Sequence, residues 1–356
     1  MPVPTEVASS VTPEPEPPRK RQRTLYEAST QYKNWRFSKQ QLSSIRTSLN
    51  EAAVAAIRDT FEADSPGSSS DVSFLNADEE RLLVKFYASK IPQLCGACGF
   101  PEEVEATAVS YLKRFYLKNT VMDWHPKNVM LTALFLATKT ANQPIPIDAY
   151  VSRIPKTSPS DILDLEFLVA QSLGFEFTVW HPHRALWGVW LDIQSLPDHP
   201  KEDIEEVYKT AKTHVRASRL TDAELIYTPS QIALAAFSLA SPNLASLWAH
   251  SKDSSNVLQV IEPLKQMILQ DSHPPDVEAV RDVDRRLKLC KNPEKVIGSK
   301  AYLARKAQEE KTAAEKRAKK AEEIRKAMEE NDPFGEHIAD EKKLDEAVNE
   351  ALEDDD

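Results

Sequence analysis

PKNVMLTALFLAT, residues 126–138, is apolar on nearly every side of a helix, and uncharged from Val129 to Ala137. Such a helix must be enclosed by others. The pattern returns in PSQIALAAFSLAS, residues 229–241. Pro126 pairs with Pro229, Asn128 with Gln231, Val129 with Ile232, Leu131 with Leu234, Ala133 with Ala236 and Leu136 with Leu239, all at an offset of 103 residues. That offset is a domain, not a solenoid turn. About 100 residues can bury an independent core. The repeat predicts an all-α fold: two tandem five-helix bundles, each built around a central helix.

The rest of the chain extends this frame. Residues 1–37 read as a disordered leader, Pro-, Glu- and Ser-rich up to the basic cluster PRKRQR at 18–23. That cluster suits nuclear import or a solvated charge run. Ser38 and Gln41 have capping-box spacing, so a leading helix is predicted over 38–62. Its stripe is Leu42, Ile45, Leu49, Ala53 and Ala56. The first bundle is expected over 76–178. Its first helix runs from the Asn76–Glu79 start signal to about Cys98, and prolines 101, 126 and 159 open later helices. A short helix lies near Ile147–Ile154, and the second bundle spans 180–292. From 297 to 356 charges dominate. Pairs such as Glu315–Lys319 and Glu322–Lys326 predict a solvated or partner-dependent helix, stopped by Asp332-Pro333 and followed by an acidic tail.

Composition narrows the function. The 7 glycines form no G-x-G and no G-K-[ST], so no phosphate-cradling loop is expected. A net charge of −10 argues against direct nucleic-acid binding. No apolar run reaches the roughly 20 residues that span a bilayer, so a soluble, intracellular protein is expected. Cys95 and Cys98 form C-G-A-C, the shape of a redox or zinc half-site, but no second pair exists. They read better as a helix end stopped by Gly96 and Gly99. His181 and His183 have no acidic partner at ligand or triad spacing. No catalytic residue, cofactor or metal is expected.

Lys139 breaks the repeat, because its counterpart is Pro242. It could cap the carbonyl end of its helix, aided by the dipole. It could instead pair with Glu166, a carboxylate in the apolar run DILDLEFLVAQSLGF. With Leu136, Phe167 and Ala170 around them, the two charges would make a protein-binding face.

The duplicated bundle, with a Lys after L-A-x and a Glu opening E-x-L-x-x-x-x-L-x-F, resembles the cyclin family. KRFYLKNTVMDWHP, LTDAELIYTPSQIAL and NWRFS are similar to segments of its cyclin H branch. The resemblance implies that Lys139 and Glu166 lie at the centre of a contact with a cyclin-dependent kinase catalytic subunit. It further implies a non-enzymatic regulatory subunit of a CDK-activating kinase in the nucleus. Its partners would be that kinase, a RING-finger assembly factor and the TFIIH core. The substrates implied are cell-cycle kinases and RNA polymerase II C-terminal repeats. A mediator-type transcriptional cyclin is the nearest alternative. A TFIIB-like promoter factor would need a basic second repeat and a zinc ribbon, and has neither here. Two departures stand out. Thr140-Ala141-Asn142 follows the lysine where many cyclins have Phe-Glu-Glu. Glu80 and Tyr87 replace the Met and Trp of the M-R-x-x-L-x-x-W substrate-docking patch.

Overall fold

A computed structural model describes residues 24–196 and 203–330. All regular structure among them is helical, and none of these helices is long and apolar enough to cross a membrane. Residues 1–23, with the basic cluster, and the acidic end after residue 330 lie outside the described residues.

The leader expectation is corrected over residues 24–37. Thr24 closes a capping box on α1 (Leu25–Ala28), and Ser29 caps α2 (Thr30–Asn34). Trp35 is buried beneath the Arg114 and Lys118 side chains, and its indole N–H donates to Glu176 at 2.6 Å. One aromatic anchor and two caps order a stretch that composition groups with the proline-rich leader.

The long leading helix α3 (Lys39–Asp64) begins at the predicted Ser38–Gln41 box. Its buried stripe differs from the expected one: Leu42, Asn50 and Ile57 are buried, while Ala56 is exposed. The helix lies across both bundles. Asn50 donates to the Leu75 carbonyl at 2.8 Å and to Glu80 at 2.6 Å, while Arg46 grips Asp222 of the second bundle at 2.7 and 2.8 Å.

The first bundle comprises α4 (Ala77–Ala88), α5 (Ile91–Cys98), α6 (Glu102–Phe115), α7 (Pro126–Thr140), α8 (Ile147–Val151) and α9 (Ser160–Ser172). The helix expected up to Cys98 is therefore two. Pro92 in the first turn of α5 cannot continue α4, since its ring would meet the carbonyl of Ala88. Gly99, at φ 71°, caps α5, whereas Gly96 sits inside it. Cys95 and Cys98 are buried, and burial pushes the Cys95 thiol up to about 12. No His, Cys, Asp and Glu cluster fit for a metal occurs among the described residues.

The second bundle comprises α10 (Pro182–Gln194), α11 (Ile204–Ser218), α12 (Ala223–Ile226), α13 (Pro229–Ala240), α14 (Pro242–Ser251) and α15 (Val257–Asp271). The quoted repeats are α7 and α13. The first is enclosed by α4, α6 and α9, the second by α10, α11, α14 and α15. Glu102 of α6 joins the bundles through Arg216 of α11 and Arg219 just past its end, at 3.2 and 2.7 Å.

The expected second-bundle limit of 292 is corrected by α16 (Val277–Leu289), which packs on α4 of the first bundle. Its Val280, Val283 and Leu287, with Cys290, complete the first core. Asp284 pairs with His125 at 3.1 Å, Arg286 pairs with Glu79, and the Asn292 N–H donates to the Met122 carbonyl at 3.0 Å. The final helix, α17 (Lys300–Glu330), is largely solvent-facing and is tied near its start by Lys300–Asp64 and by Arg305 on the Glu294 carbonyl.

Candidate functional site

Lys139 occupies the last turn of α7, and Glu166 lies midway along α9. These helices pack side by side, which brings the pair together: the ammonium donates to the Glu166 Oε1 at 2.6 Å. It also sits 4.6 Å over the Phe135 ring. The carbonyl end of α7 is served by other groups. The Ala141 N–H bonds Ala137, the Gln143 N–H bonds Thr138, and the Thr140 hydroxyl bonds Leu136. The lysine is therefore a surface ion pair rather than a cap, with 43% of its side chain exposed against 22% for Glu166.

The expected apolar surround divides. Leu136 and Ala170 are buried at 6% and 8% exposure and form the floor. Both turn toward the α6–α7–α9 core, so the expectation that they form exposed surface is corrected. Phe167 stands clear at 69% exposure, joined by Leu163 and by Phe175, whose ring centroid lies 6.1 Å from that of Phe167. Phe175 follows Gly174, and both have positive φ, 57° and 63°. A left-handed aromatic residue is uncommon. Its N–H closes back on the Ala170 carbonyl at 3.0 Å, which fixes the turn. Leu163 and Phe175 were missed as site residues because exposed and core apolar residues look alike in a sequence. The only signal was the position of Phe175 just beyond a helix-ending glycine.

The face has an ion pair, three exposed apolar side chains and a rigid floor. An ion pair beside exposed apolar side chains is an arrangement that suits recognition of another surface. Two family descriptions match the two bundles: "Cyclin, N-terminal domain" over residues 75–178 and "Cyclin C-terminal domain" over residues 181–269. The chain is 32% identical to Cyclin mcs2 of Schizosaccharomyces pombe, over 82% of this chain and 93% of the relative. It is 31% identical to Cyclin-H of Xenopus laevis, over 76% and 88%. Among solved structures, it resembles a chain of the CAK complex from Chaetomium thermophilum bound to ATP-gamma-S. The TM-score is 0.72 at 30% identity, covering 80% of this chain and 94% of that one. A chain of the yeast TFIIK (Kin28/Ccl1/Tfb3) complex matches with a TM-score of 0.57 at 32% identity, covering 68% and 100%.

The chain belongs to the cyclin family. Within it, the chain is a cyclin H-like regulatory subunit for a CDK-activating kinase.

Proposed function

We propose that the Lys139–Glu166 face is where this chain docks its kinase, with Phe167, Leu163 and Phe175 supplying apolar area over the floor of Leu136 and Ala170. The observation that carries this reading is the ion pair itself. It is preformed at 2.6 Å, partly exposed, and flanked by exposed apolar side chains. A kinase is active only when a Lys–Glu pair, set by the position of its αC helix, is assembled. A partner that binds that arrangement preferentially shifts the population toward it. On this reading the chain performs no phosphoryl transfer. It works in the nucleus with a cyclin-dependent kinase catalytic subunit, a RING-finger third subunit and the TFIIH core.

The test is the affinity of Lys139→Ala for the purified kinase subunit. Truncating one partner of a charge pair that becomes buried costs about 2–5 kcal/mol of binding. As a surface pair in the free chain it contributes at most about 1 kcal/mol to folding. Weakened binding with an unchanged melting temperature is expected. Unchanged binding with a lowered melting temperature would return Lys139 to a structural role.

A further inference from the structure

A cleft opens between α3, α4, α6, the Leu220–Asp222 turn and the end of α15, sharing no residue with the Lys139–Glu166 face. The space inside it that can hold small groups is about 90 Å³. Four cations line it, and they are not equivalent. Arg46 is held by both oxygens of Asp222, at 2.7 and 2.8 Å. Lys113 is buried, donating to the Thr221 carbonyl at 2.6 Å and pairing with Glu224 at 2.9 Å. The ammonium of Lys85 has neither a hydrogen bond nor an ion pair among the described residues, although the residue is partly buried. One turn earlier on α4, Arg81 faces the same cleft with a single loose contact, 3.5 Å to Asp78.

The anions are mostly committed too. Glu80 is buried and accepts from the Asn50 amide at 2.6 Å and the Val121 N–H at 2.9 Å. Asp222 belongs to Arg46. Asp271, at the rim, has no partner among the described residues. The loosely held charges are thus Lys85 and Arg81, the latter shared with the exposed Asp78, against the carboxylate of Asp271. Val84, Ala88 and Met267 supply an apolar wall beside them.

We propose that this cleft binds an oxyanion on an apolar stem, as on a phosphothreonine side chain of a partner peptide, with Lys85 and Arg81 as its donors. A phosphate monoester brings about two negative charges and three acceptor oxygens, which two charged donors can satisfy. The apolar wall accommodates the stem. Burial depresses the Lys85 pKa, with Asp271 and Asp222 opposing and Arg81 and Lys113 reinforcing the depression. An incoming oxyanion restores to that ammonium the partner it lacks.

The experiment titrates the full chain with N-acetyl-phosphothreonine N-methylamide, followed by calorimetry and amide chemical shifts. The threonine and glutamate counterparts serve as comparison probes. Saturable binding of the phosphorylated probe and none of the threonine probe is expected. Lys85→Gln and Arg81→Gln should each weaken it about tenfold, the scale of one charge-assisted hydrogen bond. Asp271→Asn should tighten it, an outcome that misfolding does not imitate. Equal binding of the glutamate probe supports the site and assigns it to acidic side chains instead. No saturable binding of either anionic probe, or binding indifferent to both Lys85→Gln and Asp271→Asn, overturns the proposal.

Discussion

Single charges decide several features of this molecule, and their signs make testable statements. Glu102 is the clearest. Burial raises its pKa, but the hydrogen bonds and charges of Arg216 and Arg219 outweigh that and hold the carboxyl at about 2. A carboxylate whose pKa is depressed in the folded state contributes stability above its unfolded value near 4.5, lost as pH falls toward 2. The contribution is about 2–3 kcal/mol at neutral pH. Glu102→Gln should therefore lower the melting temperature at pH 7 and leave it nearly unchanged at pH 2. A constant decrement at both values would mean that packing, rather than charge, is lost. The Lys139–Glu166 pair was legible in the sequence for a related reason: a carboxylate in an apolar run needs a partner, and one repeat carried a cation that the other lacked. Arg216 and Arg219 were not legible as partners of Glu102, because more than 110 residues separate them and only tertiary packing joins them.

At the scale of elements, the central helices were readable because an all-round apolar face has one solution, burial inside a bundle. Helix α3 was only half readable. Its start box is local and was found, but its stripe drifts to Leu42, Asn50 and Ile57 because it follows two bundles rather than one. The polar member of that stripe matters most. Asn50→Ala leaves the Glu80 Oε1 without its amide donor in a buried site, which costs about 1–3 kcal/mol. Ile57→Ala opens a cavity in the first core and costs about 2–5 kcal/mol. Chemical denaturation of both variants checks these values. A change below about 0.5 kcal/mol in both would show that α3 rests loosely on the bundles. Helix α17 gives the opposite expectation. Beyond Arg305 its placed side chains are almost all exposed, so ending the chain after Gln308 should leave the unfolding transition cooperative and its midpoint nearly unchanged. A large downward shift would mean that the distal helix packs on the bundles.

At the scale of the whole molecule, chain order and spatial order part company at α16. The repeat alone implies two self-sufficient bundles, and each central helix is enclosed within its own. Yet the first core is closed by a helix that follows the second bundle, and it is braced from the other side by α3. The sequence could not reveal this. The stripe Val280, Val283, Leu287 reads identically whichever surface it meets, and proximity in the chain favoured the second bundle. The ties to His125, Glu79 and Met122 identify the surface only once folded. The consequence is that the first bundle depends on residues more than 100 positions beyond its last helix. Leu287→Ala, fully buried in that core, should cost about 2–5 kcal/mol. Ending the chain at Asp276 should do more, exposing α4 and lowering the stability of the first bundle while the contacts within the second persist. Hydrogen exchange resolves the two cases: amides of α4 and α7 should lose protection in the shortened chain, and those of α13 should keep theirs. A peptide of residues 277–292 added in trans should restore the α4 protection by refilling the same groove. Loss of protection confined to α13 and α15 would place α16 on the second bundle.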